Sequence, residues 1–170
     1  MQKPKSMVYV AGALTMADKE LVEKLHELYD AMAEVISEYG FIPYVPHHNT
    51  DPLVFKDYTP ANIDSITRLA VCNSRFVIAY VGMPSTGTGQ EVEIAFHAGK
   101  QVFLVYEQEK MEKKLITRLV RGNPAIVREV PILNLDDINL ISTTKVRLRT
   151  ALESYLDEER KRNIPEILKP

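Results

Sequence analysis

The chain opens on a short apolar run, Met7-Val8-Tyr9-Val10-Ala11, closed by Gly12, which predicts a first buried strand. After Thr15 the apolar positions Leu21, Leu25, Leu28, Met32 and Val35 recur at three- and four-residue steps. That spacing predicts one long amphipathic helix, with Asp18 near its start and Gly40 just past its end. Phe41 to Pro46 reads as a second strand whose prolines argue for an edge. His47 to Pro60 has no periodicity and reads as a long loop, a length often tied to function. Thr59-Pro60 looks like a helix start, with Ile63, Ile66 and Val71 as the buried face.

Phe76 to Val81 is a continuous apolar run, expected to be a third strand buried on both faces. A small-residue turn, Pro84 to Gly89, follows it and leads into a helix from Gln90 to Ala98. Gln101 to Tyr106 predicts a fourth strand, Leu115 to Val120 a short helix, and Ala125 to Leu135 contains a fifth strand. Val146, Leu148, Leu152 and Leu156 predict a final helix before a polar tail, Arg160 to Pro170. The fold class that follows is α/β. A doubly wound, flavodoxin- or Rossmann-like sheet of five parallel strands carries helices on both faces. Such sheets bind ligands beyond the carboxyl ends of their strands. That rule brings together Gly12 to Thr15, the loop after the second strand, and Pro84 to Gly89.

Composition narrows the picture. A length of 170 residues fits one domain spanning 1–170, and a net charge of −2 offers no electrostatic case for nucleic acid or an anionic membrane. Cys72 is the single cysteine, so no internal disulfide framework exists, and it is expected to be buried and inert. The apolar run Met7 to Leu14 is too short to cross a bilayer and lacks a convincing cleavage site. A cytoplasmic, soluble protein is the expectation.

The chemistry concentrates at Pro84-Ser85-Thr86-Gly87-Thr88-Gly89-Gln90-Glu91. The glycines allow close approach of a ligand, and free amides at a helix start favour an anion. Glu91, placed in the first helical turn, is expected to be kept ionised near neutral pH by the helix field. An ionised carboxylate at a cleft floor can act as nucleophile or base, although most first-turn acids only complement the dipole. Gly87 and Gly89 do not form a dinucleotide fingerprint, which needs a third glycine where Val92 stands, and no Walker loop is present. Metal binding is not expected: His47 and His48 are adjacent, His26 and His97 stand alone, and loop or surface roles fit them better. Glu93 lies about 200° around the helix from Glu91, so the two cannot share a pocket. Tyr9, near the end of the first strand, is a natural partner for Glu91, since a buried hydroxyl needs one.

With these residues in place the chain resembles the nucleoside 2-deoxyribosyltransferase family, nearest in pattern to its 2′-deoxynucleoside 5′-monophosphate N-glycosidase branch. Tyr9-Val10-Ala11-Gly12 is similar to the family's Tyr-x-x-Gly strand, and Ser85-x-Gly87-x-Gly89-x-Glu91 to its central motif. Ile116 to Gly122 resembles a segment that contacts the 5′-phosphate from a neighbouring subunit. The resemblance implies Glu91 as nucleophile, Tyr9 as its positioning residue, and Asp64 as the acid assisting the leaving base. It also implies that Gly12, Ser85, Gly87 and Gly89 line the sugar site, and that Thr117 completes a partner's site in a homodimer. Three departures stand out. Ala13 and Thr15 replace a serine and a phosphate-reading arginine, Glu93 replaces a glycine, and Asp64 lies one helical turn further from the strand than the family pattern puts it.

The implied reaction is cleavage of the N-glycosidic bond of a nucleoside or its 5′-monophosphate through a glycosyl-enzyme, with hydrolysis or transfer to another base and no cofactor. Two rivals remain at this point. A cytokinin-activating phosphoribohydrolase would carry Pro-Gly-Gly-x-Gly-Thr-x-x-Glu, which Pro84 to Glu91 fits less well. A non-catalytic nucleotide sensor would use Glu91 to read a ribose hydroxyl.

Overall fold

A computed structural model describes residues 5–14, 18–50 and 55–162. Its elements run β1 (Met7–Ala11), α1 (Lys19–Glu38), β2 (Ile42–Tyr44), α2 (Pro46–Asn49), α3 (Pro60–Asn73), β3 (Phe76–Tyr80), α4 (Thr86–His97), β4 (Gln101–Glu107), α5 (Gln108–Glu112), α6 (Arg118–Arg121), β5 (Ile126–Ile132) and α7 (Leu140–Arg162). The five strands form one sheet in the order β2-β1-β3-β4-β5, and every pairing is parallel. The chain therefore has the doubly wound α/β architecture, with its strand order reversing between β1 and β3. Proline 43 sits in β2 at the sheet edge, where a missing N–H costs no ladder bond.

Period-two alternation along the strands builds two different faces. Val8, Val10, Phe76, Ile78, Tyr80, Phe103 and Val105 point toward α1 and α7, in a core of large side chains that includes Leu25, Leu28, Tyr29 and Met32. Each such side chain contributes about 1.5–3 kcal/mol when fully withdrawn from water. Tyr9, Ala11, Val77, Ala79 and Val102 point the other way, against Ala70 and Val71 of α3 and Val92 and Ala95 of α4. That second face is rich in alanine, so α4 can lie close to the sheet. Tyr9 pairs in register with Val77, and Ala11 with Ala79. Of the two tyrosines on this face, Tyr9 and Tyr44, it is Tyr9 that is aimed at α4.

Local signals account for most helix starts. Asp18 caps α1 by accepting from the amides of Glu20 and Leu21 at 3.0 and 3.2 Å. Gly40 just beyond takes φ +78°, a left-handed conformation that suits glycine. Thr59 and Asn62 form a reciprocal capping box ahead of α3, with Pro60 in its first turn.

Several expectations need correction. The stretch after β2 is not all loop, since Pro46 to Asn49 form one helical turn. Helix α4 begins at Thr86 rather than Gln90, so both glycines lie inside the helix and Glu91 falls in its second turn. The helix expected over Leu115 to Val120 is reduced to the single turn α6, Arg118–Arg121; Leu115 to Thr117 lie outside any helix, and Leu115 and Leu119 are exposed. In α7 the buried positions are Leu140, Thr144, Leu148, Leu152 and Tyr155, whereas Val146, some 200° from Leu148, is exposed. Cys72 is exposed, because it follows Val71 by 100° and turns off the face that α3 packs on the sheet. His47 is buried rather than on a loop surface, and His26 stacks on it with ring centroids 4.2 Å apart. No described helix is long and apolar enough to cross a membrane.

Candidate active site

The carboxyl ends of β1, β2 and β3 surround a cavity of about 600 Å³, within the range of a small-molecule site. Gly12 to Leu14 come from the first loop, Pro46 and Thr50 from α2 and its end, and Pro84 to Thr88 from the loop and start of α4. The stripe Pro60, Ile63, Asp64 and Thr67 of α3 closes one side, and Gln90, Glu91 and Ile94 of α4 form another. Thr15 lies outside the described residues. Among the described lining residues the ionisable side chains are Asp64 and Glu91, and both are acids.

Glu91 is held from the sheet. The Tyr9 hydroxyl donates to Glu91 Oε1 at 2.5 Å across 82 residues of sequence, while Oε2 is shut off from solvent with no partner among the described residues. Desolvation pushes the Glu91 carboxyl up to about 7, against the opposing effect of the Tyr9 hydrogen bond. This corrects the expectation of a fully ionised first-turn acid. One turn deeper in the helix, the carboxyl is governed by burial more than by the helix N-terminus. Tyr9 is itself raised well above its ordinary value, by burial first and then by the Glu91 charge, so it remains a donor. Its ring stacks on Tyr44 of β2 at 5.4 Å, which fixes where the hydroxyl points.

The other residues singled out in the sequence fall into three groups. Gly12, Ser85 and Gly87 line the cavity. At Gly12 a Cβ would lie 2.3 Å from the Tyr29 ring, so the glycine there admits a buried tyrosine whose hydroxyl donates to Ala13 O at 3.0 Å. Ser85 caps α4, its Oγ accepting from Thr88 N at 3.2 Å, and its carbonyl takes the Gly89 amide. Of the four amides from Thr86 to Gly89, those of Thr86 and Gly87 are therefore the ones left for a ligand.

Asp64 lies on the lining but half exposed at the rim, with both carboxylate oxygens engaged by Arg68 Nε at 2.9–3.0 Å. Gly89 and Thr117 are not among the lining residues. Thr117 instead caps α6, accepting from Leu119 N at 3.4 Å. Neither Gly87 nor Gly89 has positive φ, and a Cβ at Gly87 would meet only Ser85 Oγ at 3.7 Å while one at Gly89 would meet nothing. Backbone conformation thus explains neither glycine. Glu93 points elsewhere, to His97 at 3.1 Å and Asn123 at 3.0 Å.

Thr50 and Thr88 lie in segments that the sequence places at the site, the stretch after β2 and Pro84 to Gly89, whereas Thr67 is not singled out by the sequence. Thr67 belongs to the stripe 60, 63, 64, 67, whose helical spacing was legible but resembled a core face. Thr88 is buried with its Oγ1 unpartnered among the described residues, and nothing in the sequence separates it from Thr86.

No protein-family model matches this chain, and no curated protein matches it. Solved structures do. The solution structure of BlsM aligns with TM-score 0.63 over 98% of this chain and 98% of that one, at 19% identity. The CMP N-glycosidase BcmB of Clostridium botulinum aligns with TM-score 0.58 over 88% of this chain and 99% of its own, at 18% identity. A conserved protein from Enterococcus faecalis V583 aligns with TM-score 0.52 over 93% and 99%, at 18% identity. At these identities the likeness establishes the fold: the chain has the nucleoside 2-deoxyribosyltransferase-like fold.

Proposed function

We propose that the protein cleaves the N-glycosidic bond of a nucleoside or its 5′-monophosphate, with Glu91 as nucleophile. The observation that carries this reading is one buried carboxyl at a nucleoside-sized cavity, with Oε1 held by Tyr9 and Oε2 without a partner among the described residues. With the carboxyl turned so that Oε2, closed to solvent in the structure, faces the cavity, that oxygen attacks the anomeric carbon as the bond from that carbon to the base nitrogen breaks, giving a glycosyl-Glu91 ester and the released base. Tyr9 is a positioning residue that keeps the carboxylate in one orientation. Asp64 is the candidate for protonating the leaving base. Bound as it is to Arg68, it would have to release one oxygen to do so. Water or a second base then opens the ester, the outcomes of a hydrolase and a transferase respectively. That BcmB, of similar fold, is a CMP N-glycosidase supports the reaction class.

A homodimer in which Thr117 of one copy reaches the other's cavity belongs to the same reading. The exposure of Leu115 and Leu119 on either side of Thr117 supports it. The test is a panel of ribo- and deoxynucleosides and their 5′-monophosphates, with and without a free acceptor base, followed by chromatography of the released base. Base release that disappears in Glu91→Ala is the expected result. A mass increase of one glycosyl group on a peptide containing Glu91, after acid quench, would identify the ester. Full activity in Glu91→Ala, or no base release across the panel, would overturn the proposal.

A further inference from the structure

Outside the residues that line the cavity, three ligand-type side chains from two elements converge. His47 and His48 of α2 both direct Nε2 at the same oxygen of Asp30 in α1, at 3.0 and 3.1 Å. The three donor atoms lie within 4.8 Å of one another. In the sequence the two histidines are adjacent and Asp30 is distant, so no helical i, i+4 pattern announces the group. The fold assembles it by laying the short α2 across α1.

We propose that Asp30, His47 and His48 form a site for a divalent transition-metal ion of the zinc class. Two imidazole nitrogens with one carboxylate oxygen suit zinc, cobalt, nickel or copper, whereas magnesium and calcium prefer all-oxygen sets. In a tetrahedral zinc site with bonds of about 2.0–2.2 Å, neighbouring ligand atoms stand about 3.3–3.5 Å apart. The two contacts to Asp30 need to open by only a few tenths of an ångström to admit the ion. The His47 ring is already fixed: it is buried, stacked on His26 at 4.2 Å and tilted against Tyr29 at 6.1 Å. His48 and Asp30 are about half exposed, so the ion can enter from solvent and keep water in its remaining position. Binding moves the ring proton of each histidine from Nε2 to Nδ1, which at His47 is buried and has no partner among the described residues. An ion here would clamp α2 to α1, and α2 supplies Pro46 and the adjoining Thr50 to the cavity wall. Its role is structural, and it does not depend on the reaction assigned to Glu91.

The experiment uses tag-free full-length protein, dialysed against chelator and titrated with zinc by calorimetry. One zinc per chain is expected, with a higher melting temperature on binding. His48→Ala, an exposed position that leaves the core intact, should lose at least the roughly 10–100-fold in affinity that removal of even an outer-shell partner costs. Zinc added to the ¹⁵N-labelled wild-type protein should shift the ring Nε2 resonances of His47 and His48. His97, paired with exposed Glu93, serves as the internal control. Absence of zinc binding at millimolar concentration, unchanged affinity in His48→Ala, or shifts confined to other histidines would show a hydrogen-bonded trio only and overturn the proposal.

Discussion

Replacing Glu91 by Gln tests the electrostatics of the site without any substrate. Burial raises the Glu91 carboxyl from 4.5 to about 7 in the folded protein. Between those values the folded state keeps a proton that the unfolded chain has released. The stability contributed by this group is therefore fully present at low pH and is lost as pH rises through about 7. Integrating that difference from pH 5 to pH 8 gives a loss of about 2–3 kcal/mol for the wild-type protein. Glutamine keeps the acceptor for Tyr9 and carries no proton linkage. Its amide adds a packing offset that is the same at both pH values and cancels in the comparison. Urea denaturation of the two proteins at pH 5 and pH 8 should show the Gln variant gaining about 2–3 kcal/mol on the wild type at the higher pH. An equal difference at both pH values, or a relative loss at pH 8, would refute a buried, desolvated carboxyl at this position.

Three further outcomes follow from the same geometry. Tyr9→Phe removes the hydrogen bond that lowers the Glu91 pKa, so if Glu91 is the nucleophile the acid limb of kcat/KM for base release is expected to move to higher pH than in the wild type. An unmoved limb would show that Tyr9 does not act through Glu91. Gly87→Ala and Gly89→Ala should each stabilise α4 by about 0.5–1 kcal/mol, read by thermal denaturation. Only the change at Gly87, which lines the cavity, should raise KM. Gly12→Ala places a methyl group 2.3 Å from the Tyr29 ring and should cost about 1–3 kcal/mol by overpacking, measured by urea denaturation.

Much of the architecture was legible because strands buried on both faces are unbroken apolar runs and long surface helices carry a 3.6-residue stripe. The runs at Met7 to Ala11 and Phe76 to Tyr80, and the stripe through Leu25, Leu28, Met32 and Val35, appear where they were expected. Legibility failed where short elements are set by tertiary contact. Turn α2 and the break between α5 and α6 leave no periodic trace. The start of α4 was misplaced because glycines read as a turn, although here they continue a helix that Ser85 caps.

What the sequence alone determined is the alternation of elements, the parallel sheet that follows from it, and the carboxyl-end loops as the place for a ligand. It also singled out Glu91 and Tyr9 as partners, since a buried hydroxyl must find an acceptor. The tertiary structure decided the rest. The alanine-lined sheet face brings α4 close enough to bury Glu91 and reverse the expected sense of its pKa. Asp64 stands at the rim, paired with Arg68, and on the other side of the sheet α2 laid across α1 gathers Asp30, His47 and His48 at one point. Periodicity records which way a side chain faces, whereas desolvation and coordination depend on distances between segments that are far apart along the chain.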